Sequence, residues 1–207
     1  MLLIEIYLFI NPLDKHSLNS EKKFLDIIQK ENEKIHFRII PILNPRVIQN
    51  YLLDYHMPTA DLGFRNELFT TIYSACLDFK AVQLQGKQIG RKFLFELQKK
   101  VGQEQCTYSK ELVHDILMDL KVDINLYTAD RQSPLIVDFF KIDQQVAHEM
   151  GINSFSDAVI FNYNCERDFG VLVSEHTPKE IIQDLFKTDY DCERLSSIND
   201  DDRLHLH

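Results

Sequence analysis

The sequence predicts an α/β fold in which a block of helices interrupts a sheet. Three observations support this prediction. A strand, a helix and a second strand occupy the first forty residues, and residues 66–126 show helical periodicity alone. A helix, two short strands and a last helix follow between residues 134 and 187. The 207 residues are enough to bury a substantial core, either as one domain with an insertion or as two small domains.

The first unit begins with an apolar run, residues 2–10, that has the length and composition of a buried strand. A turn at Asn11 and Pro12 follows, and helix formers predict a helix from near Ser17 towards Glu33. Residues 35–41 alternate and are rich in β-branched side chains, which predicts a second strand parallel to the first. Residues 47–55 predict a short helix, and residues 59–65 predict a loop.

The middle of the chain predicts three amphipathic helices, because apolar residues recur there at spacings of three and four. Gly102 is the predicted stop of the second helix, and Thr107 or Ser109 opens the third. Their apolar faces are Leu68, Phe69, Ile72, Tyr73, Cys76 and Phe79; Ile89, Phe93, Leu97 and Val101; and Leu112, Val113, Ile116, Leu117 and Leu120.

The last third of the sequence predicts a helix, two strands and a final helix. Ser133, followed by proline, predicts an N-cap and a helix that ends at Gly151. Two apolar runs, residues 158–163 and 169–173, predict an antiparallel hairpin. Residues 177–180 (TPKE) predict a capping box that opens a final helix.

Charge and cysteine usage exclude several classes of protein. The net charge is -9 with a pI near 5.3, which disfavours a nucleic-acid surface. Six acids and two arginines make residues 188–207 an acidic tail. No segment approaches the ~20 apolar residues of a membrane span, so no membrane partner is expected. The N-terminal run has no basic leader, and the four cysteines form no C-x-x-C pair, which together predict a cytoplasmic protein. The four are Cys76, Cys106, Cys165 and Cys192.

The predicted strand, tight turn and helix start at residues 9–17 (FINPLDKHS) form a ready anion or thiolate site. Unpaired backbone N–H groups and the positive end of the helix dipole converge there. The four residues at the helix start are Asp14, Lys15, His16 and Ser17. A carboxylate suits this field as a fixed anion, but it cannot attack a disulfide sulfur as a thiolate does.

Two stretches resemble the DsbA family of thioredoxin-fold oxidoreductases. FINPLDKHS is similar to the family's aromatic-x-Asp-Pro-Leu-Cys-x-x-Cys stretch, which places Asp14 on the first cysteine and Ser17 on the second. Residues 151–161 (GINSFSDAVIF) are similar to Gly-Val-x-Gly-Val-Pro-Thr and its following strand, which places Ser156 on the cis-proline and Asp157 on the threonine. Within that family, the chain looks most like the Spx-adapter branch, cytoplasmic proteins that deliver the transcription factor Spx to the ClpXP protease.

The resemblance implies a thioredoxin fold with an inserted helical subdomain. Residues 1–62 and 128–187 are assigned to a discontinuous thioredoxin-like domain, residues 63–127 to the helical insertion, and residues 188–207 to the tail. It also implies a protein-binding adapter that promotes degradation of an Spx-type regulator. The alternative is an enzyme, either a thiol-disulfide oxidoreductase or isomerase, or a glutathione-dependent isomerase related to the kappa-class transferases.

The candidate catalytic residues also have simpler interpretations. Asp14 is a helix cap in preference to a catalytic carboxylate. Ser17 is an N-cap in preference to the nucleophile of a glutathione-dependent enzyme, and His16 faces away from it along the helix. A cis peptide before Ser156 costs ~3–4 kcal/mol without proline, so a trans bond is predicted.

Partner binding is assigned to apolar side chains in predicted loops, whose alternative role is to cover the helical block. No cofactor is expected. The tail histidines, His205 and His207, carry no predicted metal site. The partner-binding residues are Leu13, Tyr51, Tyr55, Met57, Leu62 and Phe64.

Overall fold

A computed structural model describes residues 3–31, 34–167 and 169–187 of the chain. The predicted acidic tail, with Cys192 and the two tail histidines, lies outside the described residues. Within these ranges the chain forms four strands, β1 (Ile4–Ile10), β2 (Ile35–Pro41), β3 (Ala158–Asn162) and β4 (Val171–Val173).

The strands form one mixed sheet in the order β2-β1-β3-β4. β1 pairs with β2 in parallel, as predicted, and with β3 in the antiparallel direction. β3 and β4 form the predicted antiparallel hairpin. This order and these directions, with helices inserted between β2 and β3, confirm the predicted α/β thioredoxin fold.

The helices of the first unit each begin at a capping side chain. In α1 (Lys15–Ile28) the cap is Asp14, and in α2 (Pro45–Asp54) it is Asn44, whose Oδ1 accepts from the backbone N–H of Val47. The prediction that the first helix runs towards Glu33 was wrong, because α1 ends at Ile28.

Five more helices follow α2 before β3. They are α3 (Leu62–Leu84), α4 (Lys87–Gln98) with a π-helical extension (Lys99–Gln103), α5 (Lys110–Asp119), α6 (Ile124–Gln132) and α7 (Pro134–Glu149). Ser109 caps α5 and Ser133 caps α7, as predicted. The Asp61 side chain accepts from the N–H of Phe64 and caps α3, which begins at Leu62. The loop predicted at residues 59–65 is therefore confirmed for residues 59–61 and wrong for residues 62–65.

Two further features of this block differ from the predictions. α4 continues through Gly102 in its π-helical extension, so glycine is not its stop. α6 was not predicted as a separate helix, and it spans the predicted end of the insertion at residue 127. The division of the chain at residues 63 and 127 therefore stays a prediction.

The last helix in the described part of the chain, α8 (Lys179–Asp184), begins without the predicted capping box. The Oγ1 atom of Thr177 accepts from the N–H of Ser174 at 3.0 Å, so it closes the preceding turn. Pro178 occupies the N-cap position, with no side-chain bond to the helix. Ile182 and Phe186 nevertheless bury this end of the chain against the main core.

Alternating side chains of β1 supply two apolar layers. Ile4, Ile6 and Leu8 belong to the main core, which α1, α8 and the helical block cover. Phe9 points into a smaller core on the opposite face, where Val47 of α2 and Ala147 of α7 pack. Among the residues described, no helix combines the length and apolar character needed to cross a bilayer.

Candidate functional site

The turn after β1 is held by side chains as well as backbone. The Asn11 Oδ1 accepts from the N–H of Leu13 at 2.9 Å, and the Asn11 N–H donates to Ser17 Oγ at 3.0 Å. From α4, the Gln98 side chain donates to the Asn11 carbonyl at 3.3 Å. Asn11 is fully buried, so this turn is part of the packed interior.

Asp14 is the N-cap of α1, as its simpler interpretation predicts. Its Oδ2 accepts from the N–H of Ser17 at 2.8 Å, and its Oδ1 accepts from the hydroxyl of Tyr55. The Asp14 side chain is enclosed, with 2% of its residue surface exposed. Ser17 lies inside the first turn of α1, so its predicted role as the N-cap was wrong.

The Ser17 side chain instead contacts Ser156, which stands at the position that the resemblance assigns to the cis-proline. The Ser17 and Ser156 Oγ atoms lie 3.2 Å apart, and both residues are buried. The peptide bond before Ser156 is trans, which confirms the prediction. Ser156 has a φ of 69°, in the left-handed region, and its N–H donates to the Phe9 carbonyl at 2.7 Å.

Asp157, the residue on the family's threonine position, is half-buried beside this contact. Its Oδ2 accepts from Ser154 Oγ at 2.5 Å, and its carbonyl accepts from the N–H of Phe9 at 2.9 Å. Burial raises the pKa of the Asp157 carboxyl, although the Ser154 bond favours the charged form. Backbone bonds at Asp157 and Ser156 therefore tie this loop to β1.

His16 and Lys15 take no part in the Ser17 contact and lie beside Glu175 and Tyr55 instead. The His16 Nδ1 lies 2.6 Å from Glu175 Oε1, in the loop between β4 and α8. The His16 ring meets the Tyr55 ring edge-on at 5.8 Å, and the Lys15 Nζ lies 5.7 Å above the same ring. His16 is thus engaged with Glu175, while Ser17 is bonded to Asn11 and Ser156.

The six predicted partner-binding residues differ in how far they are buried. Leu13 is buried, and Met57 and Phe64 pack against the main core, so these three follow their alternative role as cover. Leu62 is 69% exposed on the first turn of α3. Tyr51 and Tyr55 are half-buried beside the Asp14 cap.

Four half-buried ring side chains, which we call the aromatic rim, surround this cap. The Tyr51 and Tyr55 centroids are 4.6 Å apart, Tyr51 meets Phe155 edge-on at 5.8 Å, and His16 completes the group. Burial first, and then the Asp14 charge, raise the pKa of Tyr51 to about 12; burial and the bond to Asp14 raise the pKa of Tyr55 further. Both hydroxyls are therefore neutral at physiological pH.

Two residues of the site were missed at the sequence level. Phe155 precedes Ser156, and its aromatic character next to that position was a usable signal. No sequence signal pointed to Glu175, because 159 residues separate it from its partner His16.

The arrangement holds the Asp14 carboxyl group and the Ser17 hydroxyl at the two positions where a redox site would hold sulfurs. The Asp14 oxygens are both occupied as acceptors. Three cysteines are described, of which Cys76 is buried, Cys106 is exposed and Cys165 is half-buried. In the described part of the chain, no three His, Cys, Asp or Glu side chains cluster as metal ligands would.

Fold and site together define a thioredoxin-fold protein whose redox positions carry oxygen in place of sulfur. A family model described as "Thioredoxin" matches residues 7–184, and the chain belongs to that family, in its DsbA-like part. The ClpXP adapter protein SpxH of Staphylococcus epidermidis is 24% identical over 80% of this chain and 57% of its own length. SpxH of Bacillus cereus is 26% identical over 92% of this chain and 70% of its own length. The chain thus spans little more than half of the first of these relatives.

Solved structures show the same fold at lower identity. A candidate protein disulfide isomerase from Nitrosomonas europaea superimposes with a TM-score of 0.64 at 14% identity, covering 88% of this chain and 95% of its own. The oxidoreductase DsbA of Xylella fastidiosa superimposes with a TM-score of 0.59 at 11% identity, covering 94% of this chain and 87% of its own.

Proposed function

We propose that this chain is a cytoplasmic protein-binding adapter that promotes ClpXP degradation of an Spx-type transcription factor. The observation that carries the proposal is the occupied redox position: Asp14 is a buried cap, and Ser17 bonds to Ser156. A site of this kind has no sulfur to exchange, yet its residues remain buried and hydrogen-bonded. The distant similarity to SpxH supports the adapter role in particular.

The aromatic rim is the contact surface that we propose for the partner. Tyrosine and other aromatic residues are enriched at protein interfaces because they supply area at a low entropic cost. Lys15 is exposed at the edge of the rim and adds a cation beside Tyr55. Leu62, also exposed, remains a predicted contact on α3.

The test uses purified ClpXP, an Spx-type substrate and the full chain. We expect the chain to raise the rate of substrate degradation severalfold; no acceleration at saturating chain contradicts the proposal. Tyr51→Ser should reduce the acceleration, whereas Tyr163→Ser should not, because Tyr163 is an exposed tyrosine at the end of β3, in the turn to β4. Insulin reduction separates the enzymatic alternative, since catalytic turnover there would support an oxidoreductase instead.

A further inference from the structure

A pocket of about 380 Å³ lies in the helical block. Its walls come from α3, α6, the first two turns of α5 and the segment just before α5, and we call it the helical pocket. Of the described residues, those that line it include no member of the aromatic rim and neither Asp14 nor Ser17. Small-molecule sites have volumes of roughly 300–1,000 Å³, so the pocket is large enough for a small organic molecule.

A buried acid, Asp78 of α3, holds the walls of the helical pocket together. Its Oδ1 accepts from the Tyr127 hydroxyl at 2.8 Å and from Arg131 Nε at 2.5 Å, and its Oδ2 accepts from the Tyr108 hydroxyl. Burial first, and then the Asp78 charge, raise the pKa of both tyrosines, so their hydroxyls stay protonated and act as donors. These bonds join α3, α6 and the segment before α5, so they fix the walls relative to one another.

The charged groups on the helical pocket leave it net positive. Among the described residues that line it, Asp78 is the one acid, and its ion pair with Arg131 offsets its charge. Lys110 at the first position of α5 and His114 one turn later also line the pocket, and no ion pair to either is found in the described part of the chain. Hydrogen bonds at the start of α5, ahead of the Lys110 charge, lower the pKa of the neighbouring Glu111. The pocket thus carries one positive charge, on Lys110, that no acid on its described walls offsets.

Arg131 keeps a hydrogen-bond donor for a ligand. Its Nε is bonded to Asp78, and its Nη2 donates to the Ser74 carbonyl at 3.3 Å and to Ser74 Oγ at 3.0 Å. Within the ranges that the structure describes, Nη1 has no acceptor. The Arg131 side chain lines the pocket and keeps 25% of its surface exposed. Nη1 is therefore the guanidinium nitrogen left to donate charge-assisted hydrogen bonds to an anion.

The helical pocket also has an apolar wall. Val113 and Leu117 of α5 are buried, and Ile124 of α6 is half-buried. The half-buried rings of Tyr108 and Tyr127 extend this surface, because Asp78 engages only their hydroxyls. A ligand that fills the pocket therefore needs an apolar or aromatic body beside its anionic group.

We propose that the helical pocket binds a small organic carboxylate with an aromatic or alkyl body. The carboxylate group lies beside Arg131 Nη1 and Lys110, and the body packs on Val113, Leu117 and the two tyrosine rings. The single uncompensated positive charge favours a monoanion over a phosphate monoester, which carries about −1.5 to −2 charges at pH 7. The inference goes beyond the adapter role and does not rest on it, because binding is measured on the isolated chain.

The probe is phenylacetate, titrated into the isotope-enriched full chain while the backbone amide signals are followed. We expect saturable shifts at millimolar probe, concentrated in residues 108–117 and 124–132, which include most of the pocket lining. Phenylacetamide, which lacks the charge, and acetate, which lacks the apolar body, should each bind about tenfold more weakly. The absence of these shifts, equal binding of phenylacetate and phenylacetamide, or tighter binding of phenyl phosphate overturns the proposal.

Variants separate binding in the helical pocket from nonspecific binding of the probe. Lys110→Gln should weaken phenylacetate binding severalfold, whereas Lys92→Gln, at an exposed lysine of α4 outside the pocket lining, should leave it unchanged. Thr128→Tyr enlarges a residue that lines the pocket and should abolish binding. Thr70→Tyr is its matched control, because Thr70 and Thr128 are both exposed helix residues whose hydroxyls donate to the carbonyl four residues earlier. Binding that survives both tyrosine substitutions equally well overturns the proposal.

Discussion

The hydroxyl oxygens of Ser17 and Ser156 lie 3.2 Å apart in the interior, where the resemblance places the second cysteine and the cis-proline. The contact joins the start of α1 to the loop before β3, which are 139 residues apart in the sequence. Ser17 Oγ also accepts from the N–H of Asn11. The two oxygens therefore belong to one buried network, and a change at either should affect both segments.

The first prediction concerns Ser156→Pro, which restores the family's residue. Its ring fixes φ near −65°, whereas Ser156 has a φ of 69°, and it removes the N–H that donates to Phe9. We expect a loss of about 3 kcal/mol or more in the free energy of unfolding, measured by urea denaturation. Ser156→Ala keeps the backbone N–H and should lose only about 1 kcal/mol. A proline variant as stable as the parent would contradict the described loop.

The second prediction concerns the hydroxyl that Tyr55 donates to Asp14. Tyr55→Phe leaves Asp14 Oδ1 without this donor in a site that is 2% exposed, and should cost about 1–3 kcal/mol in urea denaturation. The matched control is Tyr163→Phe, because the Tyr163 hydroxyl is 3.5 Å from Glu5 at an exposed position. That control should change stability by less than about 0.5 kcal/mol. Equal effects of the two changes would argue against a buried Tyr55–Asp14 bond.

The third prediction is a pH dependence that Glu21 introduces. Burial raises the pKa of this carboxyl to about 8 from its ordinary value of 4.5, although Arg91 and Lys22 favour its charged form. Between these two values the folded chain keeps a proton that the unfolded chain has released, so stability should fall as pH rises from 4.5 to 8. This loss of stability is the cost of ionising the buried Glu21 carboxyl: it is absent below pH 4.5 and complete above about pH 8.

Glu21→Gln should remove that penalty. The variant should be about 3 kcal/mol more stable than the parent at pH 7, with little difference at pH 4.5. Urea unfolding of both proteins at several pH values measures the difference, in which all other titrating groups cancel. If the free energies of unfolding of the two proteins change in parallel across this pH range, Glu21 is not the cause of the pH dependence.

The strands and the Asp14 cap could be predicted because their signals are local. β1 and β2 are continuous apolar or alternating runs, and an acid after a turn is a known helix start. The predicted loop before α3 was wrong from residue 62 onward, because Asp61 caps α3 and starts the helix there. The capping box at Thr177 failed because the hydroxyl had a competing turn partner, Ser174.

Most of the site could not be predicted from the sequence because its contacts are long-range. Asp14 meets Tyr55 across 41 residues, and Gln98 reaches Asn11 across 87. Nothing in the local pattern of α1 marks Glu21 as buried without a partner for its Oε2 atom. Such pairings depend on how the inserted helices pack on the sheet, which periodicity alone does not specify.

The last prediction concerns Gly102, in the π-helical extension that packs against the start of α1. A Cβ atom there would lie 2.7 Å from the Lys15 backbone nitrogen and 3.0 Å from the Asp14 carbonyl carbon. Both obstacles are backbone, so they cannot rotate away as a flexible side chain would. Gly102→Ala should therefore displace the capped turn and cost about 1–3 kcal/mol in urea denaturation.

Gly63→Ala is the matched control, because Gly63 is exposed in the first turn of α3 and its Cβ would meet only the Asp61 side chain, at 3.2 Å. Alanine favours a helix over glycine, so this variant should be neutral or slightly more stable. If Gly102→Ala matched Gly63→Ala in stability, the close approach of the π-helical extension to α1 would be wrong. A shift of the Ser17 and Lys15 amide signals in Gly102→Ala alone would locate its effect at the cap.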